Sequence, residues 1–245
     1  MKTQIIKKQW LMFILNVCSL ILLGIVLQIG GAYIVNAAVE CLASSGDGST
    51  VSSAAEAAYQ YMDYMEYIRS IEPRRFAHII FVSPLVEEIV FRLIFLRAGK
   101  MVLPFWAANI VQSLMFALYH NVTIQRVYVF VMGLIIGAVF YYCPIIYRRS
   151  YAGDEKSPDR TVSGHTDNSS KGLAGLLDLP NCLMGVAASF ILHMVINSAA
   201  LFLIPFFPAD ISLALKFAIG GVMMAIAGAA VYYLYKQQAA GGGER

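Results

Sequence analysis

Two carboxylates and a guanidinium, Glu87, Glu88 and Arg92, stand in the stretch PLVEEIVFRLIF (84–95), whose other residues are apolar. A charge near the middle of a membrane-spanning helix costs roughly 2.5 to 3.5 kcal/mol on insertion scales, so such residues face a bundle interior or a wet cavity. On a helix Glu88 and Arg92 lie one turn apart and can pair, with Glu N-terminal to Arg in the better order. Glu87 points about 100° away from Glu88 and has no such partner in its own helix. It is therefore the carboxylate left over for proton transfer. Pro84, a turn upstream, removes a backbone hydrogen bond and can kink the helix beside the glutamates.

Two further stretches carry polar groups at helical spacing. SLMFALYHN places Phe116 and His120 four apart, and SFILHMVINSAA does the same for His193 and Asn197. A lone histidine in a membrane helix is usually a packed, hydrogen-bonded residue, but the set Glu87, Glu88, Arg92, His120, His193 and Asn197 spreads over three segments. Glu87, His120 and His193 suit an open three-ligand zinc site, or a metal-free site in which a carboxylate and imidazole activate water as a general base. Asn197 could donate a hydrogen bond to a developing oxyanion.

The elements that must position these groups follow from composition. Of 245 residues 59% are hydrophobic and only 13% charged, against about 25% charged in soluble domains. The chain is expected to be all-α, a polytopic membrane helix bundle of about six transmembrane helices, each with the roughly 20 residues needed to cross the hydrocarbon core. The expected spans are 9–39, 76–96, 101–125, 127–147, 179–209 and 217–235, the last able to begin near 211. The run at 9–39 is too long for the core of a cleaved signal and is read as a retained anchor. One membrane domain, 1–245, has its catalytic core at about 76–205. Residues 40–75 form an extracytoplasmic segment in which 54–72 is an interfacial helix, and 148–178 is a flexible cytoplasmic loop.

Lys and Arg cluster before the first expected span and after the second and fourth, which places both termini in the cytoplasm. The net charge of +3 is mostly this topology signal, and no basic stripe with interleaved aromatics suggests nucleic acid. Cys18, Cys41, Cys143 and Cys182 lack metal or disulfide spacing. His78 reads as a boundary residue and His165 as solvated.

In order along the chain, Glu87-Glu88-Ile89-Val90-Phe91-Arg92 resembles the EExxxR motif of the CPBP family of intramembrane proteases, which includes CAAX prenyl endopeptidases and bacteriocin-processing proteins. Phe116 to His120 is similar to its FxxxH motif and His193 to Asn197 to its HxxxN motif, and FVMGLIIGAVFY (130–141) looks like the glycine-spaced helix between them. The resemblance covers about 76–200. Leu93 stands where many members have Gly, and many members have more spans.

The resemblance implies an intramembrane endopeptidase of a bacterial cell membrane, acting on a peptide or membrane-protein substrate such as a prenylated tail or a leader peptide. Glu87 with His120 would activate water, His193 and Asn197 would stabilise the oxyanion, and Glu88 and Arg92 would support them. A zinc ion on Glu87, His120 and His193 and a metal-free glutamate-activated water both remain open. From a different class, the same groups could relay protons in a coupled transporter, or the chain could be a catalytically silent scaffold. The relay leaves Asn197 unexplained, and no inverted repeat supports a transporter.

Overall fold

The computed structural model describes residues 2–44, 53–70, 72–152, 179–204, 208 and 210–240. The described residues form an all-helical bundle. Helix α1 covers Lys2–Ser44 and α2 Ser53–Ser70, while α3 covers residues 73–99. They are followed by α4 (Phe105–Leu118), α5 (Thr123–Ala152), α6 (Leu179–Ser198, prolonged by a π-helical turn over Ala199–Leu203) and α7 (Leu213–Ala240).

Among the described residues four helices are long and apolar enough to cross a membrane, over Phe13–Leu42, Thr123–Ile145, Asn181–Leu203 and Leu213–Lys236. They surround a core in which Leu20 and Leu27 of α1 meet Ile136 and Val139 of α5, Leu192 of α6 and Ala227 of α7. The outward faces leave Leu22, Val222 and Ile226 exposed, which suits lipid rather than water. Helices α1 and α7 approach closely at Gly30, where a Cβ would lie 2.7 Å from Cβ of Met223.

The other two expected spans are modified. Over 101–125 the chain forms a helix of 14 residues, Phe105–Leu118, about 21 Å at 1.5 Å per residue and short of the roughly 30 Å hydrocarbon core, while 123–125 already belong to α5. Pro104 starts this helix from an extended conformation, and it ends before His120, which therefore sits in a loop. Helix α3 begins at Pro73 and alternates in type, with α turns at Pro73–Ala77 and Ser83–Glu87 and π-helical stretches at His78–Val82 and Glu88–Leu96.

Buried amides fasten α4 to α5. Asn109 Nδ2 donates to the Leu134 carbonyl at 2.9 Å and Gln112 Nε2 to Asn109 Oδ1 at 2.8 Å. Gly137 makes room for them, since a Cβ there would run into Asn109 Oδ1.

The linker expected at 44–53 falls largely outside the described residues, as does the loop expected at 148–178 from residue 153 onward; its first residues, up to Ala152, instead prolong α5. His165 also lies outside them.

Candidate active site

The site is built around the change of helix type in α3. In the π-helical stretch the Ser83 N–H donates to the His78 carbonyl, five residues back. The next carbonyl in that register is Ile79, whose donor would be residue 84, and Pro84 has no N–H. Asn197 of α6 fills the vacancy, its Nδ2 donating to Ile79 O at 3.0 Å. The kink expected from Pro84 is thus a π-helical segment, a form often found at functional sites, and the motif asparagine ties it to the neighbouring helix.

The α turn that follows places Ser83 four residues before Glu87. Ser83 Oγ donates to Glu87 Oε1 at 2.7 Å, which leaves Oε2 as the oxygen turned toward α6. Glu87 is buried, and Glu88 and Arg92 are wholly so. Arg92 Nη1 lies 3.1 Å from Glu88 Oε1, the pair that the spacing predicts. The guanidinium also sits 4.4 Å from the centre of the Phe116 ring, a cation–π contact.

His193 bridges the two glutamates. Its Nδ1 is 2.8 Å from Glu88 Oε1, and its Nε2 is 3.5 Å from Glu87 Oε2. Although the carboxylates leave the helix about 100° apart, one imidazole meets both because its nitrogens lie on different sides of the ring. Glu88 therefore interacts with Arg92, His193 and Ser189, where sequence spacing supplied only the first.

His120 is held by its own backbone. Nδ1 lies 2.9 Å from the Phe116 carbonyl, and since a carbonyl only accepts, Nδ1 is the donor and Nε2 is left for the cavity. Arg126 Nε donates to the His120 carbonyl at 2.6 Å, fixing the loop from the other side. Phe116 is the hub, its ring edge-on to both His120 and His193 at 5.1 and 5.8 Å between centroids.

Glu87, His120, His193 and Asn197 all line one cavity of about 1770 Å³. Its wall comes from one end of the bundle: the C-terminal halves of α1 and α6, the N-terminal parts of α3, α5 and α7, and the loop after α4. Helix α2 covers it with Tyr61, Tyr64, Met65 and Ile68, while Tyr59 and Tyr67 stay exposed. The segment read as interfacial thus has one face on the cavity. His78, an exposed residue, also lines it.

Among the described residues no group of three His, Cys, Asp or Glu side chains is arranged to hold a metal ion. Glu87, His120 and His193, the residues that would hold a zinc ion, all line the cavity.

Sequence reasoning missed Ser83, Arg126, Gln125 and Tyr64. Ser83 had a readable signal, a hydroxyl at i−4 from the unpaired glutamate; the others are brought in by tertiary packing.

Fold and site together define a polytopic membrane protein with a buried carboxylate–imidazole centre in a cavity at one end of its helices. Residues 72–147 match a family model described as Rce1-like, type II CAAX prenyl endopeptidase Rce1-like. The matched stretch, under a third of the chain, spans the EExxxR and FxxxH segments and marks a similarity to that family; His193 and Asn197 lie beyond it. Neither the comparison with curated proteins nor that with solved structures returns a match.

Proposed function

We propose that the protein is an intramembrane endopeptidase in which Glu87 activates the attacking water. The observation that carries this reading is the fixed orientation of Glu87: Ser83 occupies Oε1, and Oε2 faces His193 Nε2 across 3.5 Å inside the cavity. That gap is close to the reach of one hydrogen bond, and a water beside it would meet a carboxylate oxygen and an imidazole nitrogen together.

Glu87 takes a proton as the water oxygen bonds to the peptide carbonyl carbon. The tetrahedral intermediate then collapses, the C–N bond breaks, and Glu87 returns the proton to the leaving amine. His193, held through Nδ1 by Glu88, keeps Nε2 directed at this centre, and His120 presents Nε2 from the other side of Phe116. Asn197 has one amide hydrogen committed to Ile79, and its second is available to the oxyanion. The substrate class is a membrane-associated peptide, with a prenylated C-terminal tail the first candidate. Zinc on Glu87, His120 and His193 is the alternative, and it requires these side chains to draw together.

The test is cleavage by the full chain in proteoliposomes, using a fluorescence-quenched peptide that ends in a prenylated cysteine and three further residues, the arrangement of a CAAX tail. In water enriched in heavy oxygen, mass spectrometry should find the label in the new carboxylate. A proton-driven uptake signal without cleavage would favour the transporter instead.

A further inference from the structure

Helix α2, the segment read as an interfacial helix, covers the cavity that holds Glu87. Tyr61, Tyr64, Met65 and Ile68 recur at spacings of three and four and so share a face, and all four line that cavity. Tyr61 packs with Val35, Val39 and Tyr128, which seats the helix on α1 and α5. Within this face Tyr64 differs from its neighbours. Gln125 Nε2 of α5 donates to its hydroxyl oxygen at 3.3 Å, so the hydroxyl is held as an acceptor there and its own hydrogen remains to be donated.

We propose that Tyr64 is a substrate-contacting residue, its phenol donating a hydrogen bond to the carbonyl oxygen of the scissile peptide, the atom that becomes the oxyanion. This rests on the endopeptidase reading above and adds to it a donor from outside the three motif-bearing segments. Burial pushes the phenol above the ordinary tyrosine range, the Gln125 hydrogen bond opposes that rise, and the nearby Glu87 charge adds to it. The group is thus kept protonated and able to donate. The arrangement also gives α2 a purpose beyond shielding: a peptide in the cavity would meet both Glu87 of α3 and Tyr64 of α2, which line it together. An oxyanion so placed meets the spare Asn197 hydrogen and the Tyr64 hydroxyl, two donors from two helices.

The experiment compares wild type, Glu87→Gln, Tyr64→Phe and Tyr64→Leu in proteoliposomes with the quenched prenyl peptide, reading kcat, KM and unfolding temperature. Tyr64→Phe keeps the ring and removes only the donor; kcat should fall about a hundredfold, the loss seen when one oxyanion donor is deleted, with KM and unfolding temperature unchanged. If Tyr64 serves only packing, Tyr64→Phe will match wild type and Tyr64→Leu alone will suffer, which overturns the proposal while Glu87→Gln stays inactive. If wild type fails to cleave the peptide, or Glu87→Gln cleaves it as well as wild type, the endopeptidase reading falls and the role of Tyr64 falls with it.

Discussion

Glu88 and His193, 105 residues apart in sequence, are joined by a 2.8 Å hydrogen bond from Nδ1 to Oε1 inside the bundle. The same oxygen lies 3.1 Å from Arg92 Nη1, so removing Glu88 strips two buried groups of their partner at once. Breaking a buried ion pair from one side typically costs about 3–5 kcal/mol, because the remaining charge is left uncompensated. Glu88→Ala should therefore lower the unfolding temperature strongly and abolish activity, whereas Glu87→Gln, which keeps the Ser83 contact and leaves no buried charge unpaired, should lose activity alone. Thermal unfolding of the two variants in detergent makes the comparison. Equal stability would show that Glu88 is not the structural member of the pair.

Ser83 holds Oε1 of the carboxylate proposed to act on water. A hydrogen bond to a charged group contributes about 1.5–3 kcal/mol, and each 1.4 kcal/mol is tenfold in rate. Ser83→Ala should therefore reduce kcat about tenfold or more with KM little changed, and Ser83→Thr, which restores the hydroxyl, should recover most of it. A change confined to KM would assign Ser83 to binding instead.

Asn197 and Pro84 should be coupled although they lie on different helices. In Asn197→Ala the part-buried Ile79 carbonyl loses its donor, at a cost of about 1 kcal/mol. In a Pro84→Ala background the backbone N–H of residue 84 can supply that bond, so the same Asn197 substitution should cost less. Unfolding temperatures of the two single variants, the double variant and wild type form the cycle. Strict additivity would mean that Asn197 does not serve the Pro84 gap.

At Gly137 the α4–α5 contact admits no side chain. Gly137→Ala forces a methyl group onto the Asn109 amide, and overpacking of this kind costs about 1–3 kcal/mol. Since α4 carries Phe116 and ends two residues before His120, activity should fall together with the unfolding temperature. Wild-type stability would indicate that the two helices can separate at this point without loss.

Much of this organisation is legible in the residues themselves. The Glu88–Arg92 pair follows from i,i+4 spacing and the apolar spans from composition, because both depend on local geometry. The Phe116–His120 spacing was legible, but its meaning changed. A helix through residue 120 would put the two side chains on one face, whereas the helix stops at Leu118 and His120 turns back to cap the Phe116 carbonyl. The three expected segments do bring Glu87, His120, His193 and Asn197 to one cavity. The His193 bridge, the tie from Asn197 to Ile79 and the roof formed by α2 were not legible, since each depends on contacts between segments far apart in the chain.

The metal question is open to a direct check. With Glu87 acting on water without zinc, purified protein should keep its activity through treatment with a strong zinc chelator, and elemental analysis should find zinc well below one ion per chain. Loss on chelation with recovery on zinc addition would require Glu87, His120 and His193 to close around the ion.

The most direct measurement is the cleavage rate of Glu87→Gln beside wild type, in the same proteoliposomes and on the same prenyl peptide. Glutamine keeps the shape and can still accept from Ser83 but cannot take a proton from water. The expected result is a loss of about a hundred- to ten-thousandfold, the usual contribution of a general base, with the unfolding temperature unchanged. Cleavage by Glu87→Gln at the wild-type rate would contradict the assignment of Glu87 as the residue that activates water.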